Sequence, residues 1–177
     1  MSRKPVGAGL ILMLAVAATV FLPNTAQAGF ESGCAQLQCV EIETSYAFDQ
    51  CSSSGCEGLA SFVVQADAPP LIPGYAWGIM DVVCVTNCGP DPTKNVLIDC
   101  VFFYPLPPNR CQDSTTFPVS WGAGFPCAVF NVHAEGNSQI AVILLQTPLV
   151  PVPGTIAHVE FQEFVLICSD GTVQIFH

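Results

Sequence analysis

Ten cysteines constrain this chain more than any other feature: Cys34, Cys39, Cys51, Cys56, Cys84, Cys88, Cys100, Cys111, Cys127 and Cys168. What they become depends on the compartment, and the opening residues bear on that. Arg3 and Lys4 precede an uncharged apolar run over residues 10–22, then Pro23, then Ala26-Gln27-Ala28. A basic start, a short apolar stretch and small residues at −3 and −1 make a secretory leader. The predicted cut falls after Ala28, giving a leader of residues 1–28 and a mature chain of residues 29–177. A spanning helix needs about 20 apolar residues, more than this run offers before Pro23. Gly29 follows the cut, so a lipid anchor on cysteine is not expected.

An even number of cysteines in an exported chain reads as a disulfide framework, whose connectivity spacing alone does not give. Zinc is the competing use. Cys34-x4-Cys39 and Cys51-x4-Cys56 form two pairs, but their gap fits only the loose end of zinc-ligand spacing, and an oxidising space favours cystine. No Cys-x-x-Cys is present, so redox catalysis has no motif. One pairing is predicted not to form. Residues 82–85 read as strand, and extension through Cys88 would separate Cys84 and Cys88 by roughly 13 Å at about 3.3 Å per residue. A disulfide holds its Cα atoms within about 7 Å. Both cysteines are therefore expected to bond elsewhere, unless Asn87-Cys88-Gly89-Pro90 folds the chain back sharply.

Without the leader, Lys94 and Arg110 stand as the only strong bases against fourteen acids, a net charge of −12. Phosphate binding needs clustered Lys or Arg, so nucleic acid is excluded as a partner, and anionic membrane surfaces are disfavoured. The mature part is too rich in Val, Ile, Phe and Leu to stay disordered. No stretch after the leader is long enough to span a membrane; residues 140–145 are strand-sized. Sparse charge fits a neutral Ser/Thr/Gln/Asn surface, or a surface covered by copies of the chain or by a protein partner.

Glycine and proline punctuate short runs of β-branched and aromatic residues. Strands are predicted near 38–48, 58–66, 75–85, 95–104, 118–121, 127–134, 139–146, 155–168 and 172–176. Breakers lie at Pro69-Pro70, Gly89-Pro90, residues 105–108, Glu135-Gly136-Asn137 and residues 148–154. Ser169-Asp170-Gly171 signals a tight hairpin. The expected fold is all-β: a disulfide-stapled β-sandwich of eight or nine strands, Greek-key or jelly-roll-like, with residues 29–57 as a stapled lead-in to one cysteine-rich domain. Within the 155–168 strand, strict alternation puts Glu163 on the apolar face. A lone carboxylate does not stay buried, so a β-bulge is predicted near Gln162-Glu163. The alternative is burial of Glu163 against a donor.

Catalytic motifs are sparse. The Gly-x-Ser-x-Gly elbow is absent, and no spacing makes His133, His158 or His177 a base. Glu160 and Glu163 are poorly placed for glycoside hydrolysis. Asp91, Asp113 and Asp170 are expected in turns but form no EF-hand pattern. The candidate metal ligands are His133 and Glu135, alternating onto one strand face, with His158 and Glu160 doing the same; if the strands are neighbours, the four converge in a set suited to zinc or copper. Trp77, Trp121, Phe102, Phe103, Phe125, Phe130 and Phe161 read as core, with Trp121 and Phe125 alternatively presented by Gly122-Ala123-Gly124. No motif calls for a cofactor. The expected function is non-catalytic: an adhesive, envelope-associated or filament-forming protein that binds or self-associates outside the cytosol, with residues 140–145 offered at a sheet edge. A secreted hydrolase or metal-dependent enzyme on a β-sandwich is the alternative, and a carrier of a small apolar ligand the third reading.

Overall fold

A computed structural model describes residues 24–52, 54–67, 72–102, 110–121, 125–142 and 149–177. Among these residues nine strands follow in order: β1 (Asn24–Ala35), β2 (Gln38–Ser52), β3 (Gly55–Asp67), β4 (Gly74–Thr86), β5 (Thr93–Phe102), β6 (Arg110–Ser120), β7 (Cys127–Val142), β8 (Val150–Cys168) and β9 (Val173–Phe176). They make two antiparallel sheets, β1-β2-β3-β6 and β5-β4-β7-β8-β9, which do not close into a barrel. The chain crosses between sheets three times. β3 and β6 pair in one sheet while the β4–β5 hairpin lies in the other, a folded antiparallel ribbon of the Greek-key kind.

Period-two alternation makes the core. Ile42, Thr44, Tyr46, Phe62 and Val64 point inward from the four-stranded sheet, and Met80, Phe130, Val132, Val165 and Ile167 from the five-stranded one. An edge-on contact of Phe48 with Phe117 (centroids 5.9 Å) continues through Phe117 to Phe130 (4.5 Å), linking the sheets. Small residues share the inner faces with these bulky ones. Gly78 and Gly136 are register partners, and a Cβ on Gly136 would run into Ile42.

Among the described residues four disulfides are present: Cys34–Cys39, Cys84–Cys88, Cys100–Cys111 and Cys127–Cys168. Two of them join register-opposed residues of neighbouring strands. Cys100–Cys111 ties β5 to β6 and so one sheet to the other. Cys51 and Cys56 are register partners in the β2–β3 hairpin.

Several expectations need correction. Cys84 and Cys88 do bond, with Cα atoms 5.6 Å apart. Extension stops short of Cys88: the β4 register shifts between Cys84 and Thr86, and Asn87 adopts φ 56°. The reversed loop is held by Asn87 Nδ2 donating to the carbonyls of Phe125 and Cys127, both at 2.7 Å. Glu135-Gly136-Asn137 is not a turn, and β7 runs straight through it; the glycine meets the need for space beneath Ile42. No bulge occurs near Gln162-Glu163, because the β7–β8 ladder is continuous there. Alternation holds strictly: Phe164 is 45% exposed and Glu163 fully buried. The carboxylate instead accepts from Thr44 Oγ1 at 2.9 Å and Tyr46 OH at 2.6 Å, the donor-paired alternative.

Residues 140–142 are not at an edge, since β7 lies between β4 and β8. The expected lead-in is integral, supplying β1 and β2. Phe102 and Phe130 are core, and Trp121 and Phe161 pack against it. Phe125 is about half exposed, and Trp77 faces outward. Asp170 sits in the expected β8–β9 turn, where it accepts from the Thr172 N–H; Asp113 lies in β6 rather than a turn. The expected 148–154 breaker is largely strand, since β8 begins at Val150. The leader before Asn24, the breakers at Pro69-Pro70 and 105–108, residues 143–148, Phe103 and Gly122-Ala123-Gly124 fall outside the described residues.

Candidate functional site

The outer face of the five-stranded sheet gathers both the predicted polar residues and the outward aromatics. Register fixes the rows. Leu97, Ile79, Glu135 and Glu160 form one, running across β5, β4, β7 and β8. Asp99, Trp77, Asn137 and His158 form the next, and Val101, Tyr75, Gln139 and Ile156 the third. Opposed side chains on such rows stand about 4.5–5.5 Å apart at Cβ.

The rows at the β5–β4–β7 side frame an open trough of about 680 Å³, lined by Tyr75, Trp77, Ile79, Leu97, Asp99, Glu135, Asn137, Gln139 and Pro151 among others. Among its lining residues the apolar Leu97 is 67% exposed, and Val101 and Ile156 on the third row of the same face are about half so. Large apolar side chains left outside a folded core mark contact surfaces when they cluster.

His133, Glu135, His158 and Glu160 do come together, because β7 and β8 are neighbours. His133 Nε2 lies 2.8 Å from Glu160 Oε1, and His158 Nε2 lies 3.8 Å from Glu160 Oε2. Asn137 organises the rest. Its Nδ2 donates to Glu135 Oε1 at 2.8 Å, so its Oδ1 faces His158 Nδ1 at 2.9 Å. A carbonyl oxygen only accepts, so His158 carries its proton on Nδ1. Glu135, Asn137 and His158 therefore form one hydrogen-bonded run, and His133 with Glu160 a separate pair beside it. Among the described residues no three His, Cys, Asp or Glu side chains are arranged to hold a metal ion.

Hydrogen bonding also fixes what the trough has left to offer. Tyr75 OH donates to the Leu149 carbonyl at 3.1 Å, and Gln139 Nε2 to the Val152 carbonyl at 3.1 Å. Tyr75 OH and one Gln139 N–H are thereby turned to backbone carbonyls, and one Asn137 N–H to Glu135. Tyr75, Trp77, Leu97, Asp99 and Gln139 were not among the predicted site residues. Parity could have found them: Asp81 shares a strand face with Trp77, and Asp99 with Leu97, and a carboxylate marks the solvent side.

No family model matches the chain, and no curated protein matches it. Two solved structures align over most of its length. One is titled "Pore forming protein", with 7% identity and a TM-score of 0.30, covering 88% of this chain and 96% of that one. The other is Clostridium perfringens delta-toxin, with 7% identity and a TM-score of 0.29, covering 86% and 94%. Likeness at these scores does not establish a shared fold, and no property of either protein is carried over to this chain.

Proposed function

We propose that this chain is an exported, non-catalytic binding protein, acting at the cell envelope or outside the cell through the outer face of its five-stranded sheet. The supporting observation is the trough: Tyr75, Trp77, Ile79 and Leu97 at the surface beside Asp99 and Glu135. Core packing does not use these side chains, since the opposite face of the same strands carries Ala76, Gly78 and Met80 inward. Disulfides and the leader-like start support a compartment outside the cytosol. Retention of tagged mature protein on the surface of the exporting cells tests the reading. Wild type should be retained, and a Trp77→Ala, Leu97→Ser double variant should wash off. Equal retention of both, or retention of neither, overturns it. Size-exclusion chromatography with light scattering separates self-association from binding of another molecule.

A second reading is a metal-dependent role for His133, Glu135, His158 and Glu160. It is favoured by the approach of both imidazoles to the Glu160 carboxylate. Elemental analysis of the purified protein and melting with and without chelator test it; no metal and an unchanged midpoint dispose of it.

A further inference from the structure

We infer that the trough takes a protonated amine: a ligand with a primary ammonium group on an apolar body. This rests on the binding reading above and names the ligand's chemistry. Spare hydrogen-bonding capacity is the first argument. Asp99 makes no hydrogen bond or ion pair among the described residues, Glu135 engages only Oε1, and Gln139 commits only its Nε2. What remains is both oxygens of Asp99, Glu135 Oε2 and Gln139 Oε1 as acceptors, two of the groups fully charged, against neutral donors: the Trp77 indole N–H and the second amide hydrogens of Asn137 and Gln139. A site so supplied suits a donor-rich ligand, and an ammonium offers three donors and no acceptor.

Charge is the second argument. Lys94 and Arg110 are the strong cations after the leader, and each is held by a carboxylate elsewhere, Lys94 by Asp91 and Arg110 by Glu43 at 2.9 Å. His158 Nδ1 lies 3.7 Å from Glu135 Oε1, but its proton is directed to Asn137. The trough thus has two carboxylates with no strong cation of this chain against them. Anions are repelled, and a cation meets complementary charge.

Position is the third. Trp77 is the register partner of Asp99 on one side and Asn137 on the other, and Glu135 is diagonal to it. An ammonium over the indole sits between the two carboxylates, where the ring's negative face adds attraction. Ile79 and Leu97 are register partners one row along, and they offer an apolar bed for the ligand's body.

The test uses the mature protein and four probes: hexylammonium, 1-hexanol, hexanoate and glucose. Trp77 and Trp121 are the two tryptophans, so Trp121→Phe leaves Trp77 as the sole indole emitter. Titration calorimetry on the unsubstituted protein repeats each measurement in case that variant folds poorly. Hexylammonium should bind and shift Trp77 emission, and the other three should bind at least tenfold more weakly. Asp99→Asn with Glu135→Gln should weaken hexylammonium at least tenfold while leaving the melting midpoint in place. Hexanol or glucose binding as well as hexylammonium overturns the inference and leaves the binding reading standing. Silence from all four probes overturns the inference, and with equal cell-surface retention of the Trp77→Ala, Leu97→Ser variant it overturns the binding reading too.

Discussion

Tyr46 on β2 donates its phenolic proton to the Glu163 carboxylate on β8, at 2.6 Å across the sandwich interior. Both residues are buried, and Thr44 shares the acceptor oxygen at 2.9 Å. The second carboxylate oxygen, Oε2, has His177 Nδ1 3.9 Å away. Removing one partner of a buried hydrogen bond to a charged group leaves that group less satisfied. Tyr46→Phe should therefore cost about 1–3 kcal/mol in urea unfolding. Glu163→Gln keeps an acceptor and removes the buried charge, so it should cost less, and the double-mutant cycle should show coupling between the two sites. Additivity would mean the contact contributes nothing.

The same contact sets a pH dependence. Burial, and then the neighbouring Glu163 charge, raise the Tyr46 phenol far above its ordinary value. The folded state keeps its proton where the unfolded state, with a phenol near 10, gives it up. Stability from this group is thus complete below about pH 10 and lost as pH rises further. Alkaline titration followed by phenolate absorbance should show Tyr46 ionising only together with unfolding. Ionisation near pH 10 in protein that remains folded would contradict this.

Gly136 lies on the inner face opposite the trough, register-paired with Gly78. A side chain there meets Ile42 from the other sheet. Gly136→Ala should destabilise by about 1–3 kcal/mol through overpacking, read as a lower thermal midpoint. A companion substitution, Ile42→Leu, which removes the clashing Cγ2 methyl, should recover part of the loss.

Cys51 and Cys56 stand opposite each other in the β2–β3 ladder, as the bonded Cys34 and Cys39 do in β1–β2. Non-reducing peptide mapping should find Cys51 joined to Cys56. A free thiol at either position refutes the pairing.

A cut after Ala28 would have a structural consequence. Residues 24–28 pair with 44–48 of β2, and the register shifts immediately beyond, between Ala28 and Phe30. A mature chain starting at Gly29 leaves the 44–48 edge uncovered. Intact mass should match a start at Gly29, and amide exchange should be faster at 44–48 than at 39–43. A mature start at or before Asn24 would sink this expectation.

Alternation and breakers made most of the strands legible, though not their order in the sheets, and the Asp170-Gly171 hairpin formed where expected. The misses share physical causes. Gly136 was read as a turn residue because glycine permits both a bend and a close approach, and only the facing sheet distinguishes them. Trp77 was read as core with the other aromatics in or beside strands, yet Ala76 and Gly78 point inward because the sheets press together there. Cys84 and Cys88 were separated by assuming extension, where one left-handed asparagine reverses the chain. Glu163 was expected to escape burial because its donors, Thr44 and Tyr46, lie 119 and 117 residues away. The His and Glu cluster was foreseen because its condition, neighbouring strands, was met.

Among the described bridges, Cys100–Cys111 alone clasps one sheet to the other, along the flank of β5 and β6. On the opposite flank β1 rests on β8 without such a clasp, with Gly33 set against the His158 carbonyl and Gly29 against Phe161. The body is latched on one side only. Under tension or mild heating it should part first along the unlatched side, opening like a book whose spine is the Cys100–Cys111 bond.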